Sequence, residues 1–139
     1  MYQAIGIIEL KSIAKGIEAT DAALKSAGIR LVQAHPSCPG KYEIILTGAI
    51  ADVTAAVEVV KARFDDRVID STVIGRIDPQ VITALFGTQP SDRKGSMGII
   101  EAYSAASTVK AAEGLSVPHF APITGRVTYV DAKTIVIHA

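Results

Sequence analysis

Two hydrophobic periodicities alternate along the first half of the chain, and they predict its secondary structure. Short apolar, β-branched runs indicate buried strands, at residues 3–9, 29–33, 41–47 and 68–74. Apolar residues at steps of three and four indicate one helix after the first strand and another after the third. A third, short helix is predicted over 79–85. The order β-α-β-β-α-β is the ferredoxin-like pattern, so the predicted fold class is α+β.

Capping residues and apolar spacing define the two longer helices. Ser12 is suited to cap the first helix, in which Ile13, Ile17 and Leu24 recur at helical spacing. Gly28 is placed to end it. The second helix carries an apolar face that we predict to be core, formed by Ile50, Val53, Val57, Val60 and Phe64.

The only cysteine of the chain lies in the loop between the second and third strands. Pro39 presets φ and Gly40 supplies a positive φ, so the loop is predicted to be a hairpin turn with Cys38 at its bend. One thiol cannot complete a four-ligand metal or cluster site unless symmetry brings several copies together. The other interpretation is a free thiol in a turn. His35 is predicted to face water rather than to be a ligand.

The second half of the chain partly repeats the first. Residues 88–96 are polar and rich in turn formers, which predicts a linker between a complete domain at 1–87 and a segment at 97–139. The stretch at 6–14 recurs 92 residues later, at 98–106, which argues for an internal duplication. Too few residues follow for a second complete unit. The tail instead predicts a hairpin of 125–129 with 134–138.

Composition excludes several classes of function. The 139 residues carry 14 basic and 14 acidic side chains, so there is no basic surface for nucleic acid or membrane, and self-association is favoured. A single cysteine suits the cytoplasm, and no apolar run is long enough to span a membrane. No nucleophile, phosphate-loop or zinc-binding motif is present, so we do not expect an enzyme. Glu9 is predicted to be structural, and His119 and His138 suggest no ligand pair.

The first 87 residues resemble the bacterial microcompartment (BMC) shell-protein domain. The resemblance rests on the Gly-Ile-Ile-Glu strand end at 6–9, the Asp-Ala-x-x-Lys stretch at 21–25 and the Val-Ile-Gly-Arg strand end at 73–76. The repeat that begins at Gly98 resembles the arrangement of the tandem-domain shell proteins, in which two such domains share one chain. The loop at 37–41 is similar to the tandem shell protein of propanediol-utilisation compartments, in which the matching cysteine from three chains binds a [4Fe-4S] cluster.

The resemblance implies a cytoplasmic protein of the compartment shell, which forms flat cyclic homo-oligomers that tile with other shell proteins around enclosed enzymes. It implies that Ser37, Cys38, Pro39 and Gly40 line a central pore, for metabolites or for a [4Fe-4S] cluster shared between chains through Cys38. It also implies that Lys25 and Arg76 lie at the tile edge. A trimer and a hexamer both stay open, because the second domain is partial. Six thiols around one axis fit a four-ligand cluster poorly.

An alternative function follows from the fold class. Ferredoxin-like units also serve as oligomeric sensors that bind small molecules between subunits. A sensor predicts a finite soluble oligomer that a metabolite stabilises, whereas a shell tile predicts extended sheets or tubes.

Overall fold

The computed structural model of the chain describes residues 4–37, 39–85, 97–113, 119–121 and 134–138. Cys38, the predicted linker at 88–96, and the first strand and turn of the predicted tail hairpin lie outside the described residues. The strands are β1 (Ala4–Leu10), β2 (Arg30–Ser37), β3 (Lys41–Gly48), β4 (Val68–Gly75), β5 (Met97–Glu101), β6 (His119–Ala121) and β7 (Thr134–His138). The helices are α1 (Ile13–Ser26), α2 (Ile50–Arg63), α3 (Pro79–Leu85) and α4 (Ala105–Glu113). No helix in the described ranges is long and apolar enough to cross a membrane.

The chain divides into two compact units, Met1–Ile77 and Asp78–Ala139. The domain boundary that we predicted lies ten residues later, because α3 was expected to close the first domain. In the structure α3 contacts α4 and β6, which are elements of the second unit. The backbone N–H of Asp78 also donates to a carboxylate oxygen of Glu113 at 2.9 Å. The short helix therefore groups with the chain that follows it.

The first unit has the predicted ferredoxin-like architecture. Its sheet has the order β2-β3-β1-β4, and every neighbouring pair is antiparallel. Helices α1 and α2 pack on one face, where alternate residues of β1 join the core: Ala4, Ile8 and Leu10. Gly6 lies between them, and a Cβ there would come within 2.8 Å of Val53. The missing side chain lets α2 approach the sheet closely.

The faces of the helices differ from the prediction. Ile13, Ile17 and Leu24 confirm a helix by their spacing but are 42%, 57% and 39% exposed. The buried residues of α1 are instead small: Gly16, Ala19, Thr20, Ala22 and Ala23. The prediction that Ile50 belongs to the core is wrong, since it is 58% exposed at the first position of α2. The other four residues of that predicted face are buried.

Gly16 marks the closest approach of α1 to the sheet. A Cβ at this position would collide with the Cβ and ring carbons of Tyr42 in β3. These atoms are at the root of a buried side chain, so they have little freedom to move away. The Gly16→Ala substitution is therefore expected to lower the free energy of unfolding by about 1–3 kcal/mol, although alanine favours a helix by about 1 kcal/mol over glycine.

Urea unfolding at fixed protein concentration measures this effect. The matched control is Gly28→Ala, because a Cβ at Gly28 would meet only the Asp52 carboxylate at ordinary distances of 3.5 Å and beyond. We expect the control to stay within about 0.5 kcal/mol of the wild type. A Gly16→Ala variant as stable as the control would show that α1 can shift to make room.

The second unit begins like the first and then departs from it. Ser12 and Ser104, which are 92 residues apart, both cap a helix by accepting a backbone N–H three residues later, at 3.3 Å and 3.0 Å. The strand β7, however, pairs in parallel with both β5 and β6. In the first unit the neighbours of β1 are antiparallel. Within the described residues, the repeat therefore extends over one strand and one helix.

Candidate functional site

The loop between β2 and β3 closes a hairpin, as its turn residues predicted. Ser37 pairs with Lys41 across the two strands, so three residues form the connection. Gly40 has a φ of +69°, the left-handed conformation that the turn requires. Pro39 and Gly40 are exposed, and nothing lies within 4 Å of the place where a Cβ of Gly40 would be. Among the described residues, Gly40 therefore has open space on its Cβ side, while Cys38 itself lies outside the described residues.

The strand β2 reaches further toward this loop than the sequence predicted. We expected it to end at Gln33, because the apolar, β-prone run stops there. Instead it continues to Ser37, with Pro36 opposite Tyr42. β2 is an edge strand of its sheet, and an edge tolerates proline. The longer strand brings His35 into the sheet next to the loop.

One titratable residue from each of the four strands lies in a single row beneath the loop. His35 is opposite Glu43, Glu43 is opposite Glu9, and Glu9 is opposite Asp70. Residues directly opposite each other project to the same face with Cβ atoms about 4.5–5.5 Å apart. Because Ile8 and Leu10 face the helices, Glu9 and its row lie on the other face of the sheet. We call these four residues the cross-strand row.

A buried ion pair and a side-chain hydrogen bond connect to this row. The ammonium group of Lys41 lies 3.0 Å from a carboxylate oxygen of Glu9, with 25% and 5% of the two side chains exposed. A buried ion pair of this kind fits a structural carboxylate, and the structural role of Glu9 stays a prediction. The side-chain amide nitrogen of Gln33 lies 3.0 Å from Nδ1 of His35. Which of these two nitrogens donates depends on the tautomer of the imidazole and on the orientation of the amide.

The surroundings of Glu43 change the acidity of its carboxyl group. Burial raises the pKa of the Glu43 carboxyl above its usual range, His35 opposes this shift, and the carboxylate of Glu9 adds to it. The hairpin turn was a signal that could have found the pair of Glu43 and His35, because a three-residue loop between Ser37 and Lys41 fixes that register. Nothing in the sequence indicated that Glu9 would join them.

The two predicted tile-edge residues are both exposed. Lys25 lies in the last turn of α1, where its ammonium group pairs with Asp21 at 2.7 Å. Arg76 follows β4 directly and has a φ of +55°. It lines a cleft of about 570 Å³ together with Ala49, Ile50 and Gly75. Their assignment to an edge stays a prediction.

Comparison with known proteins identifies the first unit. A family model described as the BMC domain matches residues 4–77. The bacterial microcompartment shell protein PduT of Citrobacter freundii is 41% identical over 113 residues, which are 81% of this chain and 61% of that protein. The shell protein EutK of Escherichia coli K12 is 32% identical over 76% of this chain and 67% of its own length.

A solved structure agrees with these relatives. The crystal structure of a microcompartments protein from Desulfitobacterium hafniense DCB has a TM-score of 0.67 and 40% identity, covering 81% of this chain and 63% of that one. The chain thus spans about three fifths of the length of PduT and of this neighbour. The family match covers more than half of the chain, including all four strands of the first sheet. The protein therefore belongs to the bacterial microcompartment (BMC) shell-protein domain family.

Proposed function

We propose that the protein is a structural component of a bacterial microcompartment shell, and that it forms cyclic homo-oligomers whose β2–β3 loops surround a central opening. The observation that carries the proposal is the complete BMC domain at residues 4–77, which presents an exposed hairpin tip at Pro39 and Gly40. Relatives named as shell proteins support a structural role rather than catalysis. Other shell proteins and enclosed enzymes are the partners that this role implies.

An apolar stripe on α1 supports assembly with further copies of the chain. Ile13, Ile17 and Leu24 lie along one side of the helix and are all exposed in the single chain. In the repeated helix α4, Ala105 and Val109 occupy the positions equivalent to Ile13 and Ile17, and both are buried. Exposed neighbouring apolar side chains favour burial against a partner. A trimer and a hexamer would each provide that partner.

The finer proposal concerns Cys38. The part of the chain that the structure describes contains no group of three or more metal-ligating side chains. A [4Fe-4S] cluster would therefore need Cys38 from several copies around an axis, and the open space at Gly40 fits such an approach. When bound, the cluster would carry single electrons across the shell. Without it, the thiol and the backbone donors of Ser37 and Gly40 would line a passage for metabolites.

Anaerobic purification of the wild type and of Cys38→Ser tests this proposal. A cluster held by three chains predicts a brown protein with about four irons per three chains, which the variant loses while keeping its oligomeric mass by light scattering. A colourless wild-type ring with the same mass as the variant would contradict the cluster. It would leave Cys38 as a pore-lining thiol in a purely structural tile.

A further inference from the structure

The first charged side chain after the β2–β3 loop is withdrawn into the sheet. Residues 36–40 contain no lysine, arginine, aspartate or glutamate, so Lys41 sets the charge next to the tip. Its ammonium group lies 3.0 Å from a carboxylate oxygen of Glu9, and only 25% of the Lys41 side chain is exposed. A lysine at the end of a hairpin ordinarily extends its ammonium group into water. Here the charge is instead held against β1.

The strand register explains why these two side chains meet. Glu9 is opposite Glu43 in the pairing of β1 with β3, and Lys41 is two residues before Glu43. Tyr42 and Ile44 belong to the core, so Lys41 and Glu43 project from the other face of the sheet, which Glu9 shares. β1 is an internal strand, between β3 and β4. The ion pair thus ties the cation beside the loop to the centre of the sheet.

We propose that Glu9 is a positioning residue for the opening: it neutralises Lys41 and holds that charge back from the loop tip, so that the opening has an uncharged rim. Pro39 and Gly40 are exposed at this tip and carry no charge. In a ring, an uncompensated Lys41 in every chain would surround the opening with cations, which attract anions. With Glu9 in place, the opening admits uncharged metabolites and does not select anions over them.

The consequence for passage rests on the proposed ring, whereas the charge of the tip is a property of each chain. Alkylation of Cys38, the only cysteine, measures that charge. Iodoacetamide and iodoacetate attack the same thiolate and release the same iodide, but the second reagent is an anion. The ratio of their rates therefore cancels changes in the thiolate fraction and largely cancels changes in exposure, which a purely structural role of Glu9 would produce. Any iron is first removed from the full-length protein with a chelator.

The expected size of the effect follows from Coulomb's law. Cys38 and Lys41 are three residues apart, and three residues span at most about 11 Å. One unit charge about 10 Å away changes the rate of an anionic reagent about twofold in water at low salt. Glu9→Gln should therefore raise the iodoacetate-to-iodoacetamide ratio at least about twofold, and about 0.5 M salt should remove the gain.

Three further variants make this result specific. Adding Lys41→Met to Glu9→Gln should return the ratio to that of the wild type, because the double variant has neither charge. Glu18→Gln removes the partner of Lys15 from an exposed ion pair on α1, so it should leave the ratio unchanged. Ser37→Lys places an uncompensated ammonium group beside the tip and should raise the ratio. It keeps the test decisive even where Glu9→Gln does not fold, because a compensated Lys41 predicts that the wild-type ratio hardly changes with salt while that of Ser37→Lys falls.

Several outcomes would overturn the proposal. One is a ratio that is equal in Glu9→Gln and the wild type, and another is a ratio that stays high in the double variant. A wild-type ratio as dependent on salt as that of Ser37→Lys, or a thiol that neither reagent modifies, would also overturn it. Light scattering of the same samples tests the ring separately. A monomer with the expected ratios would contradict the proposed function and leave the compensation of Lys41 by Glu9 standing.

Discussion

Replacing Lys41 by methionine is expected to destabilise the protein by about 3–5 kcal/mol, the cost of breaking a buried ion pair from one side. The carboxylate of Glu9 lies 3.0 Å from the Lys41 ammonium group, and only 5% of the Glu9 side chain is exposed. Methionine preserves most of the length and apolar stem of lysine but removes the charge. The variant therefore leaves Glu9 buried opposite Glu43 without the ammonium group of Lys41.

Denaturant unfolding at fixed protein concentration measures this loss, and a double variant identifies its cause. Combining Lys41→Met with Glu9→Gln removes both charges, so most of the lost stability should return. Lys15→Met is a matched surface control, because Lys15 also pairs with a carboxylate at 2.7 Å, but half of its side chain is exposed. It should change stability by less than about 1 kcal/mol. A double variant as unstable as Lys41→Met would show that packing, not charge, explains the loss.

The sequence predicted the first unit well because its signals are local. Hydrophobic periodicity located all four strands and both long helices, and the cap at Ser12 and the turn at Gly40 depend on residues close in sequence. The position of the loop between β2 and β3 could be predicted from its turn residues, Pro39 and Gly40. By contrast, the ion pair of Glu9 and Lys41 joins residues 32 positions apart. It exists because β1 and β3 pair in one particular register, which local patterns do not encode.

Hydrophobicity also did not determine which side of a helix is buried. The larger apolar residues of α1, such as Ile17, are exposed, while glycine and alanine residues allow the helix to lie close to Tyr42. Ile50 belongs to the periodic pattern of α2 but lies at its first position, beside the cleft next to Arg76. A protein that assembles with further copies of itself needs apolar residues both for its own core and for the surfaces between copies. The sequence of one chain does not show which residue serves which purpose.

The second unit shows where a repeat stops being informative. The similarity between residues 6–14 and 98–106 predicted a second strand and helix, and β5 and α4 are in these positions. It did not predict the parallel pairing of β7 with β5, because no strand of the first unit pairs in this way. Similarly, α3 follows the first domain in sequence but packs with the second unit. Chain order alone did not predict the unit with which α3 packs.

Lys25→Ala is expected to abolish the edge-to-edge sheets of a shell tile while leaving each ring intact. Lys25 is 74% exposed at its side chain, and its pairing with Asp21 lies within one helix turn, so the fold loses little without it. At a tile edge, its stem would lie against the neighbouring ring and its ammonium group would donate to that neighbour's backbone. In a cyclic oligomer the same contact would recur at every edge. One substitution therefore removes many contacts from the sheet.

Electron microscopy at high protein concentration detects the sheets, and light scattering confirms that the ring mass is unchanged. The matched control is Lys15→Ala, because Lys15 lies on the same helix in an equally short ion pair but has no predicted edge role. Sheets that persist in Lys25→Ala would contradict the edge assignment, and loss in both variants would indicate a general effect of charge. A wild type that forms only finite rings, stabilised by a metabolite, would instead favour the small-molecule sensor. The Lys25 comparison thus tests whether the surface of the tile, rather than a ligand, determines assembly.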